Sequence, residues 1–162
     1  MMKKTLVAPF MQLSMILALA LVGAQTMSAQ SANSVEGTWS VAVTVVDCTT
    51  GVLIRNVRSL QMFSHDGTIT ETAFTASRGI SVGKWSHTGG KSFSDQFWFF
   101  RYTPTGTFAS LAEGLDAITL SSDGSTFTSV GTVQDFDANG NLISTGCVTH
   151  AATRLTPTPP NK

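Results

Sequence analysis

Residues 37–48, Gly-Thr-Trp-Ser-Val-Ala-Val-Thr-Val-Val-Asp-Cys, decide the fold. Their period-two alternation and β-branched content describe a half-buried strand. Successive side chains of a strand point to opposite sides. Trp39, Val41, Val43 and Val45 therefore share one face, and Ser40, Ala42, Thr44, Val46 and Cys48 share the other. The first set faces a core.

Upstream of this stretch, Lys3 and Lys4 precede a mostly apolar run from Leu6 to Val22, followed by small residues at Ala24 and Ala29. A basic start, an apolar middle and a small-residue exit describe a signal peptide over residues 1–29, cleaved after Ala24 or Ala29. The run is broken by Pro9, Gln12 and Ser14 and falls short of the roughly 20 continuous apolar residues of a membrane span. No stable membrane span is expected after cleavage, and the mature chain is expected to be secreted or periplasmic.

What remains is enough for one domain with a real core. The ten basic and ten acidic residues balance, and loss of Lys3 and Lys4 leaves the mature chain slightly negative with its basic residues scattered. Nucleic acid is excluded as a partner on that ground. Residues 156–162, Thr-Pro-Thr-Pro-Pro-Asn-Lys, read as a disordered Pro-rich tail. Cys48 and Cys147 are the only cysteines. In an oxidising compartment they are expected to form a disulfide, with a chain-entropy contribution of about 4 to 5 kcal/mol for a loop of about 100 residues.

Downstream, extended segments alternate with turn signals. Leu53–Ser64 and Thr68–Thr75 flank His65-Asp66-Gly67, where Asp-Gly predicts a type I′ hairpin. Ile80–His87 turns at Gly89-Gly90 into Ser92–Tyr102. A sixth strand, Thr107–Ser121, is expected to be bulged or interrupted near Gly114. Ser125–Phe136 and Leu142–Leu155 are joined through Asn139-Gly140. Eight strands with short connections and no helical periodicity predict an all-β, eight-stranded up-and-down antiparallel barrel over residues 36–155, with first and last strands paired.

Register sharpens this. If Cys48 sits opposite Cys147, Val45 faces His150, Val43 faces Ala152, and Val41 faces Arg154. Two-residue turns at Asn139-Gly140 and Asp123-Gly124 place Ser129 opposite His150, Phe127 opposite Ala152, Leu120 opposite Phe127 and Ile118 opposite Ser129. The interior then holds Val41, Val43, Val45, Ile118, Leu120, Phe127, Ser129, Val148, His150 and Ala152, and threonines dominate the outer positions. The disulfide lies outside the barrel.

Gly37-Thr38-Trp39 at the start of the first strand and Arg154 near the end of the last resemble lipocalin-like barrels of the calycin superfamily. Those barrels carry Gly-x-Trp at the first strand and a basic residue near the last that packs over the Trp. The chain also resembles small exported bacterial proteins of unassigned function in its Gly-Thr-Trp start, its Asp137-Ala138-Asn139-Gly140-Asn141 turn and its Gly146-Cys147 pair. The second lipocalin motif is missing, and Pro157, Pro159 and Pro160 exclude a C-terminal helix. A barrel of the allene-oxide-cyclase and dirigent type stays open. Trp39 and Arg154 are read as structural, a cation–π plug at one barrel end.

The chemistry-bearing residues narrow the function without settling it. Asp135-Phe136-Asp137-Ala138-Asn139-Gly140 matches half of a calcium loop, but Gly146 stands where the bidentate Glu belongs, so a hairpin turn is expected. His65, His87 and His150 show no metal-ligand spacing, and no metal or other cofactor is expected. Glu71, Glu113, Asp95 and Asp116 form no pair by spacing, and no nucleophile elbow or phosphate loop is present. His150, opposite Ser129, is the one catalytic candidate.

The leading expectation is a barrel that binds a small apolar or amphipathic molecule in its interior, lined by Val43, Val45, Ile118, Phe127, Ser129 and His150 with Trp85, Trp98 or Phe99. A cyclase or isomerase in the same cavity is the alternative, a non-enzymatic role being favoured. A structural or interaction module is the third. Ser92–Tyr102 is aromatic on both faces, Phe93, Phe97 and Phe99 on one and Trp98, Phe100 and Tyr102 on the other. Its outer face is expected to be solvent-exposed, covered by the loop around Arg78, or buried in a homo-oligomer.

Overall fold

The computed structural model describes residues 31–156; the signal peptide expected at 1–29 and the Pro-rich tail expected to be disordered, from 157 onward, lie outside the described residues. After a short 3₁₀ turn, Ser31–Asn33, eight strands follow: β1 Gly37–Asp47, β2 Leu53–Phe63, β3 Thr68–Ala73, β4 Ser81–Gly89, β5 Ser92–Tyr102, β6 Phe108–Leu120, β7 Thr126–Phe136 and β8 Leu142–Arg154. Each pairs antiparallel with the next, and β8 pairs with β1 to close the barrel. Closure gives each of the eight described strands a neighbour on both sides, which limits the free edge that could template pairing with another chain.

All ten residues assigned to the interior from the sequence are buried. The β6–β7 and β7–β8 registers match as well, with Leu120 opposite Phe127, Ile118 and His150 both opposite Ser129, and Ala152 opposite Phe127.

At the seam the register differs from expectation by two residues. Trp39 is opposite Arg154, Val41 opposite Ala152, Val43 opposite His150 and Val45 opposite Val148. A shift of two preserves which side chains face inward, so the interior is unaffected. The disulfide forms, with a Cα–Cα distance of 5.0 Å, but between staggered residues. β1 leaves the ladder at Asp47, Cys48 lies in the following turn, and Cys147 is opposite Val46. A disulfide constrains distance and not direct opposition. The stacking of Arg154 on Trp39, in contrast, is met by direct opposition.

The hairpins differ too. The Gly67 amide donates to the Ser64 carbonyl, and Ser64 N–H donates to Thr68 O. Gly67 is thus the positive-φ bulge residue ending a four-residue turn (φ 79°), not the second centre of a type I′ turn. Gly140 repeats this arrangement with Asp137 and Asn141 (φ 83°). There a bulge between Asp135 and Phe136 offsets the longer turn, which is why the β7–β8 register still comes out as expected.

β6 runs through Gly114 without interruption. The glycine serves packing: a Cβ there would stand 2.4 Å from Cζ of Phe97. β4 begins and ends slightly later than the alternation suggests, at Ser81 and Gly89. The loop between β3 and β4 meets the outer aromatic face at Tyr102, beside Gly79, and leaves Phe100 52% exposed. It continues the sheet beside β5, with Gly79 N–H donating to Phe100 O, Tyr102 N–H donating to Ser77 O, and Arg78 bridged to Arg101.

One end of the barrel is packed shut. Trp39 and Phe127 meet edge to face at 4.8 Å, and Phe63, Trp85 and Phe93 extend the cluster. The segment before β1 lies across it, Val35 being fully buried and accepting a 2.7 Å hydrogen bond from Trp39 Nε1. Arg154 stacks on Trp39 and donates to the carbonyls of Gly124, Glu36 and Ser34. Lys91 ties the 3₁₀ turn down through Ala32 O and Asn33 Oδ1.

Candidate functional site at the open end of the barrel

The opposite end, where the chain turns at 48–52, 74–80, 103–107 and 137–141, keeps a cavity of about 70 Å³. Its walls are apolar, made by Val43, Val45, Val57, Phe97, Phe99, Val133 and Val148 at inward positions of five strands. Alternation puts them there, and Gly114 gives the Phe97 ring room to lie flat against β6. Phe97 and Phe99 stack at 6.3 Å.

Into this apolar lining the fold inserts three guanidiniums, those of Arg55, Arg78 and Arg101. Arg78 pairs with Glu71, whose side chain is 1% exposed and which also accepts a 2.9 Å hydrogen bond from Ser81. Arg101 pairs with Asp135, whose two oxygens further accept from Ser110 and Ser144. Phe99 lies beneath both arginines, 3.6 Å from Arg78 and 4.9 Å from Arg101. Arg55 has no ion pair or hydrogen bond among the described residues. Burial lowers its pKa, and the charges of Arg101 and Arg78 add to this against the pull of Asp135.

Beneath the cavity a polar belt crosses the barrel. Asp95 and Asp116 are direct partners across β5 and β6, each 5% exposed. Burial pushes Asp95 well above the carboxylate range, with the charges of Asp116 and Glu71 adding to it. Burial, then the charge of Glu71, raises Asp116 to about 7 against the opposing Ser129 hydroxyl. His150 reaches from this belt to the cavity. Its Nδ1 exchanges a 2.5 Å hydrogen bond with Ser129 Oγ and lies 3.4 Å from Asp116 Oδ2. Burial pulls its pKa down to about 4, Glu71 opposing and Arg78 reinforcing the shift. A neutral imidazole at neutral pH follows. Asp95 Oδ1 and both Asp116 carboxyl oxygens have no hydrogen-bond partner in the belt, which disfavours two bare charges there and agrees with the upward shift of both acids.

Of the residues expected at a ligand site, Val43, Val45, Phe99 and His150 line the cavity. Ser129 lies behind His150. Ile118, Phe127 and Trp85 belong to the packed part of the core. Trp98 stands half-buried on the outer face, in a concavity with Phe100, Phe108, Leu111 and Phe136. The face of β5 that turns inward is Phe93, Asp95, Phe97 and Phe99. The sequence reading missed Arg55, Arg78, Arg101 and Glu71 as site residues. For Glu71 and Asp95 the signal was available, because each shares inward parity with a neighbouring apolar residue, Ile69 and Phe97.

The calcium-like loop is a hairpin turn. The Asp137 carboxylate accepts from the amides of Asn139 and Asn141 and from Asn141 Nδ2, and Asp135 points to Arg101. His65 lies at the surface against Glu36, and His87 against Gly90 O. Among the described residues no group of three or more His, Cys, Asp or Glu could hold a metal ion.

Fold and site together define a closed eight-stranded up-and-down barrel, plugged at one end, with a small arginine-rich cavity at the other. Compared with protein-family models, curated proteins and solved structures, the chain matches none of them.

Proposed function

We propose that the protein is an exported, lipocalin-like barrel that binds a small amphipathic molecule at its open end. The observation carrying this reading is the cavity itself, apolar in its walls, charged at its sides and sealed below by a filled core. Concave apolar sites with a few placed polar groups are where small ligands bind. At about 70 Å³ the cavity takes only a few heavy atoms, so the ligand is short or only its end is enclosed. The leader-like start supports export, and the disulfide is compatible with an oxidising compartment.

A catalytic reading has one specific observation in its favour. His150 borders the cavity while a hydrogen bond with Ser129 fixes its Nδ1 and Asp116 Oδ2 lies 3.4 Å away, an arrangement that orients an imidazole for proton transfer. The cyclase or isomerase alternative rests on that geometry.

Amide chemical-shift mapping with a panel of small amphiphiles tests binding. Shifts confined to the strand segments carrying Val43, Val45, Val133, Val148 and His150, and lost in a cavity-filling Val148→Phe variant that still folds, are expected. Shifts confined to the outer face of β5 and β6, or none, would overturn the reading.

A further inference from the structure

We infer that the molecule bound at the open end is a small organic anion, a carboxylate or its like, whose charged head is held by Arg55 while its short apolar part enters between Val43, Val45, Val133 and Val148. The inference rests on the binding role proposed above and names the chemistry of the ligand.

Three guanidiniums border the cavity, and two carboxylates answer them. Glu71 is engaged by Arg78 and Ser81. Asp135 is engaged at both oxygens, Oδ1 by Arg101 and Ser110 and Oδ2 by Ser144. Among the guanidiniums that border the cavity, the one left without an ion pair or hydrogen bond among the described residues is that of Arg55. His150 adds no charge at neutral pH.

Arg55 is also placed to serve a ligand. It sits on β2 opposite Val45, close to the open end, and the repulsion of Arg101 and Arg78 acts on it against the attraction of Asp135, a carboxylate already paired with Arg101. An anion arriving there relieves that repulsion, whereas a cation would add a fourth positive charge. A guanidinium offers a planar fork matched to a carboxylate, and charge-assisted bonds are stronger than neutral ones. The apolar walls below it accept a few methylenes.

The test uses three probes of equal chain length, butanoate, butan-1-ol and butylamine, titrated against the intact oxidised protein at neutral pH and low salt and followed by amide shifts. Butanoate is expected to bind at least tenfold tighter than the alcohol, with no detectable binding of the amine. Arg55→Gln is expected to remove that preference while leaving the alcohol's affinity within twofold, and Arg55→Lys to restore part of it. Because Arg55 is exposed, the variants are expected to fold, and an unchanged melting temperature checks this. Equal affinity for butanoate and butanol, or a preference surviving Arg55→Gln, would overturn the anion inference and leave the binding role standing. Binding of none of the three would overturn both.

Discussion

The Arg154 guanidinium carbon lies 4.2 Å from the centroid of the Trp39 ring, and the two residues are direct partners across the β1–β8 seam. The same guanidinium donates to carbonyls before β1 and between β6 and β7. One pair thus joins the barrel seam to the segment that covers its closed end. Trp39→Ala is expected to lower stability by about 3 to 5 kcal/mol, as for large buried aromatics. Arg154→Gln is expected to cost about 1 to 3 kcal/mol through the carbonyls it leaves unbonded. Urea denaturation measures both, and an unchanged midpoint for Trp39→Ala would refute the plug.

The disulfide closes the seam at the other end, across a sequence separation of 99 residues. Its loss removes a constraint on the unfolded chain worth about 4 to 5 kcal/mol in the chain-entropy treatment. The double variant Cys48→Ser, Cys147→Ser is expected to melt well below the oxidised protein and to be insensitive to reductant. Equal melting of oxidised and reduced wild type would contradict this.

The polar belt sets a pH dependence with two opposing parts. Asp116 rises from 3.8 to about 7 on folding, so its contribution favours the folded state at low pH and is lost as pH climbs through that interval. His150 falls from 6.5 to about 4, so its contribution is complete above pH 6.5 and is lost as pH drops toward 4. In the wild type the two slopes oppose each other across this window. Asp116→Asn is expected to unmask the His150 slope, stability rising from pH 4.5 toward 6.5, and to exceed wild-type stability near pH 8. At about 1.4 kcal/mol per pKa unit the gain is a few kcal/mol. His150→Gln is expected to show the reverse slope. Parallel pH profiles for wild type and both variants would exclude the scheme. Asp95, Glu71, Arg78 and Ser129 stay in place in each variant and share the coupling.

Gly114→Ala places a methyl 2.4 Å from the Phe97 ring, and the ring's way out is toward the cavity. A loss of about 1 to 3 kcal/mol is expected, in the range of overpacked cores, together with weaker binding of any cavity ligand. Thermal melts combined with the butanoate titration check the two effects separately.

The particular elements show where sequence reading succeeds. Val41, Val43 and Val45 alternate with Ser40, Ala42 and Thr44, and that local pattern suffices to assign strand and face. The inward sets of β7 and β8 followed because short turns tie neighbouring strands together. The seam was harder, since no turn links β1 to β8: Cys48 and Cys147 suggested direct opposition, and the Trp39–Arg154 stack occupies it instead. The site was harder still. Arg55, Glu71, Arg78 and Arg101 come from β2, β3, the following loop and β5, and nothing in their spacing announces that they border one cavity.

By itself the sequence determined the eight strands, their order, the inward face of four of them, β1, β6, β7 and β8, and the identity of the disulfide. These follow from alternation and turn chemistry acting over a few residues. The tertiary structure decided the seam register, the inward face of β5, the opposition of Asp95 and Asp116, and the gathering of three arginines around two carboxylates. Each depends on where strands distant in sequence meet when the sheet closes, and closure is a property of the whole barrel.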